Sequence, residues 1–577
     1  MSQTQSPTSV DVSSHYYPAS SQGLKSLDKE QLIKKLWLGL LLLALLMTLV
    51  LPLGSLFSHS FVDNKGQWIG LQNFENYLNN PALTHSISNT LTLGLIATII
   101  TIGLAFTTAW CLTRSNIPGK SLFKGIAYIP LLTPSLLSAI SLIYWFGNQG
   151  VLKEWWWFDS IYGLSGITFG ICFWVFPHAL IILMTALRQQ DARLYEASSV
   201  LGASAVKTFF TVTLPGCKYG LISATAVVFT LSVTDFGVAK VIGGQYNLLA
   251  TDIYKQVIGQ QNFSMGAVVS LVLLLPAVLT FVVDQWVQRK QQSMFDSKSV
   301  CFEPTPKASR DALAFMFCSL VSVVILAIII MAGYSSFVTF WPYDLTLSFA
   351  NYQFEMMDGG GWQAYYNSLW MAFGTMVLGT AFIFLSAYAC QKMEPWPVIR
   401  KLIHMLSVIP AAVPGLVLGL SYIFFFNSPN NPFNVIYGSF LILMICSVLH
   451  FLTVGHLTMV TALKQLPDDI ESVSESMKVP FYVTLGKVTL PMTLPAVLEV
   501  GIYLFVNAMT TVSAVVFLYS PSTMLASVAV LNMDDAGDTA PAAAMAMLIF
   551  VSALAVKLLH SGVSLLIIKK TQGWRTK

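Results

Sequence analysis

The chain has 577 residues, of which 55% are hydrophobic and only 10% are charged, and its mean hydropathy is +0.67. This composition excludes an ordinary soluble domain, in which about a quarter of the residues are charged. The sequence must instead be analysed as that of a membrane protein.

The chain opens with a polar leader and continues in long apolar runs. Residues 1–35 are rich in Ser, Gln and Thr, so we expect a disordered cytoplasmic leader. The first apolar run is too long, and lies too far along the chain, to be a cleaved signal peptide. Each run of about 20 apolar residues can cross a bilayer. We predict an all-α polytopic membrane protein with about twelve transmembrane helices, near residues 36–58, 91–113, 122–146, 163–187, 219–241, 264–288, 313–338, 367–390, 401–426, 434–463, 495–519 and 541–568.

The distribution of Lys and Arg predicts the orientation of these spans. If the N-terminus is cytoplasmic, the cytoplasmic segments carry 26 of the 31 basic residues and the outer segments carry four, Lys65, Lys153, Lys240 and Lys255. Cytoplasmic loops are enriched in Lys and Arg. We therefore expect a multi-pass protein in the lipid of a bacterial inner membrane, with both termini in the cytoplasm. The net charge of +4 reflects this topology and gives no indication of nucleic-acid binding.

The chain repeats itself at an offset of 276 to 280 residues. Each half has six spans in the same order, so the two repeats run parallel and their interface is the natural pathway for a solute. We predict a first repeat at 36–290, a cytoplasmic linker at 291–312 and a second repeat at 313–570. The matching motifs are IPLLTP (Ile129 to Pro134) and IPAAVP (Ile409 to Pro414), NTL at Asn89 and NSL at Asn367, TVTLP (Thr211 to Pro215) and KVTLP (Lys487 to Pro491), and LAT at Leu249 and LAS at Leu525.

Paired prolines interrupt spans three and nine. A proline inside a helix frees a carbonyl and bends the axis, which in a bilayer is tolerated mainly where protein or a cavity meets the freed group. We interpret Pro134 and Pro414, with Pro130 and Pro410, as kinks beside the pathway. Ordinary kinks in packed helices are the alternative, because proline is common in membrane helices.

The segment EASSVLGASAVKTFFTVTLP, from Glu196 to Pro215, lies between spans four and five on the cytoplasmic side. Gly202 permits the conformation that ends a helix, and Ser204 can cap the next one. Pro215, after Leu214, suits the first turn of span five. A short helix of small residues that projects from a membrane domain is shaped to enter a groove on another protein. The residues on one helical face are Leu194, Ala197, Ser198 and Leu201.

The second repeat carries a divergent copy of this segment. At an offset of 276, Gly202 becomes Lys478, and Glu196 becomes Ser472, with Glu471 one place earlier. Pro480 replaces the serine cap; proline disfavours helical angles in the residue before it and can itself begin a helix. We predict helix–break–helix in both copies, the second broken near 478–480 and leading to Leu490 and Pro491. The equivalent face is Ile470, Val473, Ser474 and Met477.

Both halves resemble the permease subunits of type I ABC importers. The family signature is a cytoplasmic Glu-Ala-Ala helix, a Gly about six residues later and a Leu-Pro before the next span. The resemblance implies that each segment is a coupling helix docked on one subunit of a separate ATPase dimer, and that a periplasmic binding protein delivers the substrate. The implied coupling residues are Leu194, Glu196, Ala197, Ser198, Leu201, Gly202, Leu214 and Pro215, with Ile470, Glu471, Val473, Ser474, Met477, Lys478, Leu490 and Pro491.

The fused form with two six-span repeats is similar to iron(III)-type permeases. Within these, the segments from Asn507 to Pro521 and from Leu525 to Asp538 most resemble 2-aminoethylphosphonate permeases. The resemblance therefore implies 2-aminoethylphosphonate as the substrate. Iron(III), thiamine and polyamine are the alternatives for this architecture.

Two polar side chains in the apolar spans are candidates for the pathway. Asp235 lies about 20 residues beyond Pro215, roughly 30 Å along a helix, where it could line the outer mouth, bind an amine or cap a turn. Asn507 could hydrogen-bond a substrate or join neighbouring helices. His450 and His456 do not share a helical face, so they indicate packing rather than an iron site.

The sequence shows no catalytic arrangement, so we expect a transport subunit and not an enzyme. The sequence Gly119-Lys120-Ser121 has Arg114 where a phosphate-binding loop needs glycine. The seven cysteines show no metal-binding spacing, so we expect no metal and no cofactor. A secondary transporter would carry coupling carboxylates in mid-membrane and commonly a basic Gly-Arg-rich loop after span two, and a membrane-embedded transferase would show clustered catalytic groups. The loop from Arg114 to Leu122 is not of this kind and no such cluster is found, so the secondary transporter is the less favoured alternative.

Overall fold

The computed structural model describes residues 21–63, 65–155, 160–292, 300, 302–467 and 469–571. In these ranges the protein is built almost wholly of helices, as predicted. Nine helices are long and apolar enough to cross a membrane, and the number rises to twelve if each of three bent helix pairs forms one span. The predicted all-α polytopic fold is therefore confirmed.

The predicted disordered leader is wrong for residues 21–35, because a helix begins at Ser21 and continues into the first span. Lys34 lies one turn beyond Glu30, and its Nζ atom is 3.1 Å from the carboxylate. Pairs of opposite charge at this spacing support a helix. Residues 1–20 of the predicted leader lie outside the described part of the chain.

The helices of the first repeat follow the predicted order. Several are extended by a 3-10 or π-helical turn, which is given below after the word 'with'. All the helices of this repeat are named in the next sentence. They are Ser21–Leu45 with Leu46–Val50 and Leu51–His59, Gln72–Leu78, Pro81–Arg114, Lys120–Tyr128 with Ile129–Leu132, Ser135–Phe146, Lys153–Trp155, Leu164–Arg188, Ala192–Val200, Ala205–Thr208 with Phe209–Thr213 and Leu214–Gly216, Lys218–Thr234, Gly237–Ile242, Leu249–Tyr254 with Lys255–Gly259, and Phe263–Gln292.

The second repeat has the same order, with one small β-hairpin added. Its strands Val338–Phe340 and Asp344–Leu347 pair antiparallel, with Phe340 opposite Asp344. Its helices are Ala308–Phe337, Ala350–Tyr352, Phe354–Met356, Gly361–Lys392, Pro397–Val408 with Ile409–Ala412, Gly415–Phe426, Pro432–Ile436, Phe440–Lys464, Asp469–Ser476, Phe481–Thr484 with Leu485–Thr489 and Leu490–Thr510, Pro521–Thr523, Ala526–Ala536, and Thr539–Thr571.

The prolines of spans three and nine break these spans rather than kink them. The two halves of the third span meet at 103°, and those of the ninth at 115°. In each case the chain leaves the helix and begins a new one after Pro134 or Pro414, whose ψ angles of 145° are extended. Both prolines are buried. Their fixed φ angle suits the residue that precedes a helix, which explains why the break repeats.

Spans five and eleven are shorter than predicted. Their helices end at Thr234 and Thr510 instead of continuing to 241 and 519. The next residues, Asp235 and Thr511, have extended backbones with ψ angles of 131° and 136°. The apolar residues that follow form short buried segments, so hydropathy alone could not separate them from the spans.

The first helix of each repeat packs against the other repeat. The ring of His59 stacks on that of Phe424 at 4.2 Å. Conversely, the first helix of the second repeat accepts hydrogen bonds from the first repeat. The hydroxyl of Ser141 donates to the carbonyl of Ile328 at 2.6 Å, and the indole of Trp145 donates to the carbonyl of Ala327 at 3.1 Å. The two repeats are therefore joined by an exchange of their first helices.

The repeated Asn motifs pin the second long helix of each repeat to a later segment. The Asn89 amide donates to the carbonyl of Asn247 at 3.0 Å, and the Thr90 hydroxyl accepts from the Leu249 amide at 2.9 Å. In the second repeat the Asn367 amide donates to the carbonyl of Met524 at 2.9 Å. The NTL and LAT motifs thus recur together because they meet in the fold.

Candidate functional site

The first candidate segment folds back on itself between Arg188 and Lys218, and we call residues 191–216 the first hairpin. Its helix Ala192–Val200 begins after Asp191, whose carboxylate caps the Arg193 amide at 3.1 Å. It ends at Gly202, which has a φ angle of +67°. The amides of Gly202 and Ala203 donate to the carbonyls of Ser199 and Ser198, both at 3.0 Å. This is the hydrogen-bond pattern of a helix closed by a left-handed residue.

The second hairpin, residues 469–492, ends its helix in the same way although it lacks glycine. Lys478 has a φ angle of +56°, and its amide donates to the carbonyl of Glu475 at 2.9 Å. The Val479 amide donates to the carbonyl of Ser474 at 2.9 Å. Helix–break–helix is therefore confirmed in both copies. The predicted role of Pro480 needs correction, because it precedes the helix Phe481–Thr484 as its cap instead of forming its first residue.

One predicted residue of each docking face points inward. Ser198 is buried, and its hydroxyl bonds that of Thr208 at 2.7 Å. Ser474 bonds Thr484 in the same way. The two members of each pair are ten positions apart in the chain, and each pair closes its hairpin. Ser198 and Ser474 therefore hold the two arms together instead of lying on the outer face.

The outer face of each hairpin is apolar and open. In the first hairpin Val200 and Leu201 are 88% and 84% exposed, and in the second Met477 is 71% exposed. Contiguous exposed apolar side chains on a membrane protein's polar side mark a contact with another protein. Val200 and Tyr482 also lie on these faces, although helical periodicity did not predict them. The exposed residues of the two faces are Leu194, Glu196, Ala197, Val200, Leu201, Val206 and Phe210, and Val473, Met477, Lys478 and Tyr482, with Ile470 half-buried.

The two Leu-Pro motifs have different surroundings. Leu214 and Pro215 end the first hairpin, and a bend of 67° separates them from the helix Lys218–Thr234. The prediction that Pro215 lies in the first turn of span five is therefore wrong. Leu490 and Pro491 lie inside a continuous helix from Phe481 to Thr510. Gly216 follows Pro215 where Met492 follows Pro491, and a methyl group added at Gly216 would lie 2.9 Å from Nε2 of Gln190.

A buried arginine network holds the base of the first hairpin. Arg114 is 4% exposed, and its guanidinium donates to the carbonyl of Leu187 at 2.6 Å and to the side chain of Gln190 at 2.9 Å. The same guanidinium lies 4.8 Å from the ring of Tyr195 and 4.6 Å from that of Phe302 in the linker. Gln190 in turn donates to the carbonyl of Thr213 at 2.8 Å.

An ion pair between a buried lysine side chain and a half-buried glutamate holds the base of the second hairpin. Nζ of Lys392 lies 3.2 Å from Oε2 of Glu471, and the lysine side chain is only 5% exposed. Glu471 was predicted to belong to the docking face, but it is half-buried and points toward this lysine. The reason is its register, since at an offset of 276 it corresponds to Tyr195 and not to Glu196.

The predicted pathway residues are used for local structure. The Asp235 carboxylate accepts from the Val238 amide at 2.9 Å and is buried, so it caps a turn. The Asn507 amide donates to the carbonyl of Tyr503 on its own helix at 2.7 Å. Asp235 also bonds the side chain of Ser135, the first residue of the helix Ser135–Phe146, whereas the Asn507 contact stays within one helix. Pro134 and Pro414 are buried at the span breaks.

His456 is fully buried, as packing predicts, and bonds His404 at 3.0 Å. Among the described residues, no group of three or more His, Cys, Asp or Glu side chains could hold a metal ion. A cavity of about 580 Å³ lies beside the second hairpin, between the helices Phe440–Lys464 and Leu490–Thr510. Its polar lining consists of Thr458, Thr461, Gln465, Thr493 and Glu499.

Comparison with known proteins shows similarity over both repeats. Residues 102–293 and 382–565 match the family described as binding-protein-dependent transport system inner membrane component. The chain is 27% identical to the ferric transport system permease protein FbpB of Actinobacillus pleuropneumoniae, over 92% of this chain and 78% of that protein. It is 25% identical to the Fe(3+)-transport system permease protein FbpB 2 of Haemophilus influenzae, over 92% of this chain and 98% of that protein.

Other similarities cover about half of this chain. A spermidine/putrescine transport system permease protein PotC homolog of Mycoplasma pneumoniae is 29% identical over 46% of this chain and 96% of its own. A solved bacterial ABC transporter involved in the import of alginate is 17% identical, covers 48% of this chain and all of its own, and has a TM-score of 0.37.

Proposed function

The chain belongs to the family of binding-protein-dependent transport system inner membrane components, and we propose that it forms, as one fused polypeptide, the whole membrane pathway of its ATP-driven importer. Permeases of this family are transport subunits that work with an ATPase and a binding protein. The observation that carries the proposal is the pair of exposed apolar hairpins, one in each repeat, closed by the same bonds. One hairpin for each subunit of an ATPase dimer is the arrangement that a two-fold partner requires.

The proposed orientation places both hairpins and both termini in the cytoplasm of a bacterial cell. It is supported by the distribution of Lys and Arg, of which 26 fall in the segments assigned to the cytoplasm and four in the outer segments. The segments pinned by Asn89 and Asn367 then face the periplasm, where a binding protein would dock.

For the substrate we propose 2-aminoethylphosphonate. This proposal is supported by the resemblance of residues 507–521 and 525–538 to permeases for that solute. The second of these segments contributes Asp535, which pairs with Lys240 of the other repeat at 2.9 Å. This face therefore carries both signs of charge, which suits a zwitterion. Ferric iron is the second candidate, because the relatives that match over 92% of the chain are named ferric permeases.

The test is uptake into proteoliposomes that contain the chain, the partner ATPase and the binding protein. ATP-dependent accumulation of labelled 2-aminoethylphosphonate, without accumulation of labelled iron(III), is expected. Accumulation of iron(III) alone would replace the first substrate with the second. Uptake by the chain without the ATPase would refute the importer and favour a secondary transporter.

A further inference from the structure

In both repeats a cation at the end of a long helix holds the hairpin, although the cation and its contacts differ between the repeats. Arg114 is the last residue of the helix Pro81–Arg114, and Lys392 is the last residue of the helix Gly361–Lys392. They correspond at an offset of 278, and their partners Tyr195 and Glu471 correspond at 276. In each repeat, therefore, one buried cation at the end of the second long helix contacts the same position of the hairpin.

The other end of each long helix is also fixed. Asn89 and Asn367 lie 25 residues before the two cations, roughly 38 Å along an α-helix. They bond the segments that begin near Asn247 and Met524. Each long helix thus connects a hairpin on one face of the membrane domain to a short segment on the opposite face.

These helices are packed too closely to bend independently of their neighbours. A methyl group added at Gly94 would lie 2.5 Å from a side-chain atom of Val233. One added at Gly379 would lie 2.7 Å from Leu504 and 2.9 Å from Val448. Close packing of this kind transmits displacement instead of absorbing it.

We propose that Arg114 and Lys392 are the positioning residues through which each hairpin moves the long helix of its repeat, and hence the opposite face. This inference rests on the proposed docking of an ATPase at the hairpins. Arg114 and Lys392 make different kinds of contact with their hairpins. Arg114 donates two hydrogen bonds from Nη2 and lies with its planar face between two rings, whereas the contact of Lys392 with Glu471 is an ion pair. Arginine can replace lysine in the second arrangement, but lysine cannot replace arginine in the first.

The first experiment needs no partner. Hydrogen exchange is measured on the full chain in nanodiscs, over residues 191–216 and 469–492, for R114Q, R114K, K392Q and K392R. K392Q should accelerate exchange about tenfold in the second hairpin only, and R114Q in the first only. K392R should behave as wild type, whereas R114K should resemble R114Q. Equal acceleration of both hairpins, or none in either, would overturn the assignment. If K392Q does not insert, E471Q replaces it with the same expectation.

The second experiment adds the partner ATPase. Exchange over residues 522–536 is compared with and without ATP and vanadate, and ATPase binding is measured by co-purification. In wild type the bound nucleotide should change exchange on this opposite face. In K392Q the ATPase should still bind and hydrolyse ATP while this response is lost. A full response in K392Q refutes the positioning role alone. A wild-type chain that binds no ATPase refutes the proposed function and the transmission together.

Discussion

The Nζ atom of Lys240 lies 2.9 Å from Oδ1 of Asp535, and this ion pair joins the two repeats on the face opposite the hairpins. Lys240 also lies 5.3 Å from the ring of Tyr254. Asp535 belongs to the helix Ala526–Ala536, whose first amide donates to the Ser368 hydroxyl at 2.7 Å. The pair therefore connects the second repeat's long helix to the first repeat.

Removing this ion pair should have a small effect on stability. Both side chains are partly exposed, and such pairs contribute about 0.2–1 kcal/mol. A double-mutant cycle with K240M and D535N, measured by thermal unfolding in nanodiscs, should give a coupling energy in that range. The coupling should shrink at 1 M salt, because salt screens exposed charges. A coupling that does not depend on salt would contradict the assignment, and D538N serves as the control for charge alone.

The neighbouring Asp534 should make this face sensitive to pH. Burial, followed by the charge of Asp535, raises the pKa of Asp534 to about 7, while Lys240 lowers it. The carboxyl of an unfolded chain titrates near 4. Between these values the folded state holds more protons, so stability falls as pH rises. The contribution is fully present below about pH 4 and is lost as pH passes through 7.

The measurement is hydrogen exchange over residues 526–536, corrected for the intrinsic rate, at pH 6 and pH 8. We expect faster opening at pH 8 in wild type and no such difference in D534N. D538N should retain the wild-type difference. A pH difference that survives in D534N would contradict the prediction.

The left-handed residues that close the hairpins should respond in opposite directions. Gly202 meets no atom within 4 Å of an added methyl group, so the cost of G202V comes from its φ angle of +67°. A side chain in this conformation costs about 1–2 kcal/mol. K478G should relieve strain of similar origin and stabilise the second hairpin by up to about 1 kcal/mol. Hydrogen-exchange rates over each hairpin measure both changes in stability. In a transport assay, G202V should uncouple ATP hydrolysis from uptake without preventing membrane insertion.

A matched glycine separates backbone strain from the effect of added bulk. Gly125 also has open space around it, but its φ angle is that of the helix Lys120–Tyr128. G125A should be neutral or slightly stabilising, because alanine favours helix. A loss of stability in G125A as large as that in G202V would show that the φ angle is not the cause.

Asn367 should matter more than its counterpart in the first repeat. Its amide donates to the carbonyls of Ser522 and Met524, at 3.2 and 2.9 Å, whereas that of Asn89 donates to Asn247 alone. A hydrogen bond of this kind contributes about 0.5–1.5 kcal/mol to stability, and Asn367 makes one more than Asn89. N367A should therefore lower the unfolding temperature more than N89A does. The reverse order in a thermal unfolding assay would contradict the prediction.

The sequence could predict the helices, the repeat and the break in each hairpin, because these depend on local periodicity and on glycine or proline. It placed the break of the second hairpin correctly but attributed it to Pro480. The offset that aligns Lys478 with Gly202 already contained the left-handed position. What it could not predict are contacts between distant segments, such as Arg114 with Phe302 or Lys392 with Glu471. Hydropathy also overestimated the spans that end at Thr234 and Thr510, because a buried segment is apolar whether or not it crosses the membrane.

The exchange of first helices sets the order in which the protein can be completed during synthesis. The face of the first helix that bears His59 is covered by Phe424, and 365 residues separate the two in the chain. At about 5–20 residues per second, the ribosome needs roughly 20–70 s to supply that partner. Throughout this interval the helix is in the bilayer with its eventual contact surface against lipid or the insertion machinery. Neither half can therefore reach its native packing before nearly three quarters of the polypeptide has been made.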